Sequence, residues 1–552
     1  MVRVWYFDPF NLHYPLTSLS AIALSSTPRG YFFRIRNLRS SVAAVRRFSA
    51  AAKVKKAVSS KTTKESGGGG DALGRRLLSL VYAKRSAAVT IGKWKEEGGT
   101  VRKYELNRIV RELRKLRRYK HALEICEWMT LQKDIKLLAG DYAVELDLIA
   151  KVRGMNSAEK FFEDLPEQMR DGITCSALLH TYVQNKESAK AEALFEKMKE
   201  CGYVKNPLPY NHMLSLDVSD GKFDKVRDVI GEMKVHSQPD VVTYNLWLTV
   251  CASQNDVESA ERVFLELKKR KVNPDWVTYS TLTNLYIKSS QIETAAATLK
   301  EMEKMASQKN RVAYSSLISL HANIGDEAGV QRVWKKLKSC FPKMNDVEYT
   351  CMIASLVKLK QIEEAEKLYT EWESVSGTHD PRVSNIILAA YINRDQMDVA
   401  ETFCSRMVQN GVTPCYSTWE LLTWGFLKQE HTKKALEYFK KAVSSVKKWD
   451  PHQRLIAEVF GRLNEEGNVE DAEELVVFLR NVGHVSTETY NSLLRTYAQA
   501  GTMPLLVEER MKKDNVELNK ETRSLLKRIR KICASEVSHI GSPPEVPKEN
   551  FV

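Results

Sequence analysis

The sequence predicts an all-α solenoid of about twelve helix-turn-helix repeats. Three observations carry the prediction. First, an opening phrase recurs at one spacing: VVTYN at Val241, WVTYS at Trp276, RVAYS at Arg311 and DVEYT at Asp346, each 35 residues after the last. Second, from about Lys103 to about residue 532 the apolar residues follow helical spacing, with no alternating β-branched run that reads as a strand. Third, Ala recurs at the twentieth place of most blocks, at positions 122, 158, 191, 260, 295, 365, 400 and 435. Self-similarity at this period marks a stacked array, whose units bury their apolar faces only against their neighbours.

In chain order, residues 1–64 come first, with 12 Lys or Arg against Asp8 alone. That segment carries +11 of the chain's net +15 and leaves +4 for the rest, so the basic pI says little about what the body binds. A segment rich in Arg, Ser and Ala and nearly free of acid reads as an organellar transit peptide. RRFSA, Arg46 to Ala50, matches a mitochondrial processing site with cleavage after Phe48, and a chloroplast address shares the same composition. Residues 65–102 read as a linker and lead-in, because four glycines follow Ser66 without the Gly-Lys-Ser/Thr of a phosphate-binding loop.

The repeats occupy residues 103–519. In the block at Val241, residues Val257, Ala260, Val263, Phe264 and Leu267 form a stripe on one side of a helix. Asn255, with Glu258 three residues on, reads as its N-cap, and Pro274 follows its end. The first half of the block is long enough for a second helix, so each block is a hairpin. A small Ala at the twentieth place lets its two helices approach closely. Blocks open at about Lys103, Ala139, Gly172, Pro207, Val241, Trp276, Arg311, Asp346, Pro381, Tyr416, Gln453 and Thr487. Residues 520–552 read as a cap helix followed by a disordered tail.

No window holds the roughly 18 apolar residues of a membrane span, so no membrane insertion is expected. The nine Cys form no CxxC pair, and Cys126, Cys251 and Cys404 read as small core residues. With 43% hydrophobic and 28% charged residues the chain has a folded, soluble composition. No HExxH, H-x-E or P-C-x-x-C occurs, so no catalytic residue, metal or cofactor is expected.

A 35-residue hairpin with VTYN in its first helix, A..LF..M in its second and PD at its end resembles the pentatricopeptide repeat family. The resemblance covers about residues 103–519. The tetratricopeptide repeat, with its 34-residue period and W..LG..Y signature, fits less well. Likeness to the family's pure-repeat P class, plant organellar type, implies a right-handed α-solenoid superhelix whose first helices line the concave face. It also implies a single-stranded RNA ligand read at one base per repeat. By the same resemblance the fifth and last residues of a block meet the base edge and the second packs on base faces. The fifth residues are Ser176, Asn211, Asn245, Ser280, Ser315, Thr350 and Asn385, and the last residues paired with the first six are Asn206, Asp240, Asp275, Asn310, Asn345 and Asp380. The second residues are Ile173, Leu208, Val242, Val277, Val312 and Val347.

These side chains suit the role, since Asn, Ser and Thr both donate and accept while Asp only accepts. Such residues also cap helices and start turns, and the recurrence of the whole pattern through six consecutive blocks is what favours base reading. The family's pairing rules, as the resemblance implies them, give A-U-U-A-A-G for blocks 172–380, with a pyrimidine next at Asn385. Lys288, Lys358 and Lys428 hold the thirteenth place, where the resemblance implies phosphate contact. The run RIVRELRKLRRYK, Arg108 to Lys120, reads as added backbone affinity or as a solvated face. Arg382, Cys415, Glu420 and Ala457 depart from the pattern, so the last blocks read as caps or as a protein-binding surface.

The expected function is an organellar, mitochondrial adaptor that occupies single-stranded RNA and supports its stability, processing, splicing, editing or translation. The alternative is an interaction solenoid, such as a component of the organellar ribosome or a partner of RNA-processing factors. Removing residues 1–64 is expected to abolish organelle import while leaving the helical circular dichroism intact. Import of the truncated protein at the full-length level contradicts the targeting assignment.

Overall fold

The computed structural model describes residues 70–80, 85–306 and 310–540, with side chains described from 73 to 533 within those ranges. The transit-peptide reading of residues 1–64 and the tail reading beyond 540 lie outside the described residues. Among the described residues every regular element is helical, the one short 3-10 turn being Glu167–Met169. They fall into two compact units, one within Pro15–Ala306 and the other within Ser307–Val552.

In the N-terminal unit the first helices of successive blocks are Lys103–Lys115, Ala139–Arg153, Gly172–Asn185, Pro207–Asp220, Val241–Ser253 and Trp276–Lys288. In the C-terminal unit they are Arg311–Asn323, Asp346–Lys358, Pro381–Asn393, Tyr416–Lys428, Gln453–Glu466 and Thr487–Ala500. Each start coincides with a block opening read from the periodicity. Within each unit most first helices pack on their own second helix and on the first helix of the next block; at the first block it is the second helix, Tyr119–Thr130, that packs on Ala139–Arg153. The unit is therefore a row of hairpins with a continuous apolar interior, as neighbour-only burial requires.

The turn inside each hairpin has a simple cause. The fifteenth residue of eleven blocks is left-handed, at Arg117, Lys186, Gly221, Asn255, Ser290, Gly325, Lys360, Asp395, Glu430, Gly467 and Gly501, with φ between 55° and 78°. A single αL residue after a helix ends it and reverses the chain. Asn255 is thus the reversing residue, and the N-cap of Val257–Lys269 is Asp256, which accepts from the Ser259 N–H at 2.9 Å. This corrects the expected Asn255 cap; Asn tolerates the left-handed conformation and takes that task instead.

The twentieth-place alanines are fully buried in both units, Ala260 and Ala365 among them. Cys126, Cys251 and Cys404 are buried as well, and burial pushes the Cys251 and Cys404 thiols up to about 11, which keeps them protonated. The fourth-place Tyr clamps the block. Tyr210, Tyr244 and Tyr349 donate to Glu232, Glu266 and Glu371 on their own second helices at 3.4, 3.3 and 2.9 Å. The same carboxylates pair with Lys199, Lys234 and Lys338 of the preceding second helix at 2.9, 2.8 and 2.8 Å.

The lead-in before the repeats is more ordered than a linker. Gly70–Leu78 and Ala87–Glu96 form a hairpin that buries Leu73, Leu77, Leu80, Ala87 and Ile91 against the first block. At the other end Lys520–Ile540 packs on Thr487–Ala500 through Leu526 and Ile529. Among the described residues no helix is long and apolar enough to cross a membrane.

Enlarging a buried alanine forces the two helices of a hairpin apart. Ala260→Leu is expected to destabilise the array by about 1–3 kcal/mol, seen as a lower denaturation midpoint. An unchanged midpoint contradicts close approach at this position.

Candidate functional site

Within each unit the side chains expected to meet bases lie at the seam between consecutive first helices. There the last residue of a block first serves as the N-cap of the next helix. Asn206 accepts from the Leu208 N–H at 3.0 Å, Asp240 from Thr243 at 2.9 Å and Asp275 from Thr278 at 2.9 Å. Asn310 accepts from Ala313 at 3.3 Å, Asn345 from Glu348 at 3.1 Å and Asp380 from Arg382 at 3.0 Å. The capping role that competed with base reading is therefore realised at all six positions.

Where the fifth residue is Asn, a second bond crosses the seam. Asn211 Nδ2 donates to Asp240 Oδ1 and Asn245 Nδ2 to Asp275 Oδ1, both at 3.0 Å. The amide oxygens accept from the third residue of the next block. Thr243 Oγ1 donates to Asn211 Oδ1 at 2.8 Å, and Thr278 Oγ1 to Asn245 Oδ1 at 2.7 Å. The pattern returns as Thr418 on Asn385 at 2.9 Å and as Thr522 on Asn491 at 2.7 Å. Fifth residues with a hydroxyl behave differently and close on their own helix. Ser176, Ser315 and Thr350 donate to the carbonyls of Gly172, Arg311 and Asp346 at 2.6, 3.3 and 2.6 Å. Ser280 is buried.

The threonines were missed as site residues, although the T of VTY had displayed them from the start. Their role is invisible within one block because the partner amide lies more than 30 residues away.

The second residues do not form an unbroken aliphatic row. Ile173, Leu208 and Val347 are 55%, 43% and 64% exposed, and Val312 is half-buried. Val242 and Val277 are only 7% and 3% exposed. Val242 packs with Leu214, Leu246 and Val250, so its surface is spent on the interior.

The three expected phosphate lysines also differ. Lys288 is exposed. Lys358 Nζ donates to Asn323 Oδ1 at 2.6 Å, and Lys428 pairs with Asp395 at 2.6 Å, both on the preceding block. Of the seven basic residues in the run Arg108 to Lys120, two are turned inward, Arg114 pairing with the buried Asp147 at 2.8 Å and Arg118 donating to the Leu78 carbonyl, while Arg108, Arg111, Lys115, Arg117 and Lys120 are exposed. Asp147 is raised by burial, but Lys151 and Arg114 outweigh this and hold it below the usual carboxylate range.

Asp380 carries an extra load. Arg382, at the second position, donates to it from Nε at 2.9 Å. Burial raises the Asp380 carboxyl, yet the bonds from Arg382 prevail and hold it low. Next along, Asn385 Nδ2 faces Cys415 Sγ at 3.8 Å in place of an oxygen. Among the described residues no group of three His, Cys, Asp or Glu is placed to hold a metal ion.

Repeated helical hairpins with a regular polar seam define this chain as a helical-repeat scaffold. Sequence relatives give the family. A pentatricopeptide repeat-containing protein of Arabidopsis thaliana, mitochondrial, is 66% identical over 468 residues, covering 85% of this chain and 88% of the relative. Another of the same plant, also mitochondrial, is 34% identical over 434 residues, covering 78% and 88%. The pattern described as pentatricopeptide repeat domain matches residues 169–216 and 204–251, the PPR repeat family pattern 239–286, and the PPR repeat pattern 277–305 and 349–375. The chain belongs to the pentatricopeptide repeat family. The crystal structure of the maize pentatricopeptide repeat protein PPR10 is similar with a TM-score of 0.41 and 18% identity, covering 86% of this chain and 73% of that one.

Proposed function

We propose that the protein binds single-stranded RNA in mitochondria, each block of the central array reading one base through its fifth and last residues. It acts by occupying a segment of a transcript, and so supports that transcript's stability, processing, splicing, editing or translation. Its compartment is the mitochondrion, as for the relatives that are 66% and 34% identical.

The observation that carries the reading is the repeated pair. Asn211 with Asp240 and Asn245 with Asp275 hold the same atoms at the same 3.0 Å in successive blocks. A reader with a step of one base needs such an identical unit at each step. Of each Asn amide, one N–H is bound by the cap; Asn211 and Asn245 are 7% and 2% exposed, so the second N–H meets a base edge only when the seam opens to admit the base. Exposed Ile173, Leu208 and Val347 offer faces on which bases rest, and exposed Lys288 offers charge to a phosphate. With +4 outside residues 1–64, the array makes few phosphate contacts, so its salt dependence is shallow.

Thr350 tests the code because its hydroxyl bonds only within its own helix in the described network, so replacing it breaks no bond between blocks. Thr350→Asn is expected to move that block's preference from guanine to uracil. One base contact is worth about 1–3 kcal/mol, or about five- to 150-fold in affinity. Binding of both proteins to RNAs with AUUAAG and AUUAAU cores measures the shift. A preference that stays on guanine contradicts the register or the one-base step.

A further inference from the structure

The third residue of the following block is not part of the proposed reading pair, yet from block 207 onward its chemistry tracks the fifth residue; in the first block Asn107 is followed instead by Asp141, to which its Nδ2 donates at 3.0 Å. Every fifth-place Asn from block 207 onward is followed by a third-place Thr that donates to its amide oxygen. Where the fifth residue is Ser or Thr, the third residue that follows is Pro209, Ala313, Glu348 or Val383, none with a hydroxyl. Thr also follows Ala143 and Ala457. There it bonds to the residues just before its own helix: Thr174 donates to the Met169 carbonyl at 2.7 Å, and Thr489 accepts from the Ser486 N–H at 3.3 Å.

We infer that this threonine is a specificity-determining positioning residue: it fixes which end of the Asn amide faces the RNA. An Asn side chain presents a donor or an acceptor according to a half-turn about its last torsion, and the two ends differ little in shape. A hydroxyl donating to Oδ1 occupies one of its two lone pairs and holds that end of the amide toward the next block, so that the NH2 end is the one offered to a base. The block then recognises an acceptor on the edge of a pyrimidine, a ring oxygen substituent or N3. The threonine itself touches no RNA. The inference rests on the base-reading function proposed above.

One block separates this effect from that of the cap. At Asn211 and Asn245 the cap carboxylate also demands the NH2 end, because it can only accept. At Asn385 the cap is Cys415, whose sulfur is a weak acceptor 3.8 Å away. There Thr418, at 2.9 Å and fully buried, holds the amide alone.

The test uses the full chain and RNAs identical except for the base after AUUAAG, varied through U, C, A and G. Wild type is expected to favour the pyrimidines. Thr418→Val is expected to reduce the pyrimidine-over-purine ratio by at least about fivefold, the low end for one base contact. Thr418→Ser keeps the hydroxyl and retains the ratio. Cys415→Asp in the Thr418→Val background restores it, because a carboxylate again demands the NH2 end, and that variant also regains a cap if Thr418→Val alone fails to fold. A merely structural threonine weakens all four RNAs equally and leaves the ratio unchanged, which overturns the inference. A wild-type protein indifferent to this base, while still selective within AUUAAG, overturns it as well. Indifference throughout AUUAAG instead overturns the reading on which it rests.

Discussion

The structure depends on the hydrogen bonds made by one residue per block, the last, at the boundary between two hairpins. Asp240 shows how much is loaded on it. Its carboxylate ends the orphan state of the Thr243 N–H, so the next helix starts there, and it takes the Nδ2 proton of Asn211, so two blocks are joined. An unpaired buried amide or carboxylate costs free energy on the scale of a lost hydrogen bond or more, so block phase, helix start and side-chain orientation are fixed together. A surface that must align one base per step inherits its regularity from this bond.

The opening phrase VTY follows from the same geometry. Val242 fills the interior next to Leu246 and Val250, Thr243 closes both the cap and the Asn211 amide, and Tyr244 reaches Glu266 on the second helix. Three adjacent residues thus face three different neighbours, as successive residues of a helix must. The lysine that meets Glu266 comes from the block before, so the second helices are also joined pairwise. Neighbour coupling on both layers makes each hairpin's stability a property of its row.

Most of the fold was legible because each block repeats the same local code. All twelve first helices begin at the residues read from the periodicity, and the recurrent alanines are buried as their spacing implies. What was not legible depends on partners a block away. Lys358 and Lys428 look alike in sequence to Lys288, but Asn323 and Asp395 of preceding blocks engage them. Val242 and Ile173 share a position and an aliphatic character, yet one is buried and the other exposed. The hairpin within residues 70–96 lacks the block phrases, and its glycine run reads as a break, so only its burial against the first block reveals it. Asn255 and Asp256 are both good caps, and the demand for a left-handed residue decided between them.

Crosslinking the protein to RNA inside mitochondria and sequencing what is bound tests the central claim most directly. The account predicts one short single-stranded footprint with an AUUAAG core. Broad recovery of ribosomal RNA, with co-sedimentation on a ribosomal subunit, contradicts it and places the protein among ribosome-associated scaffolds.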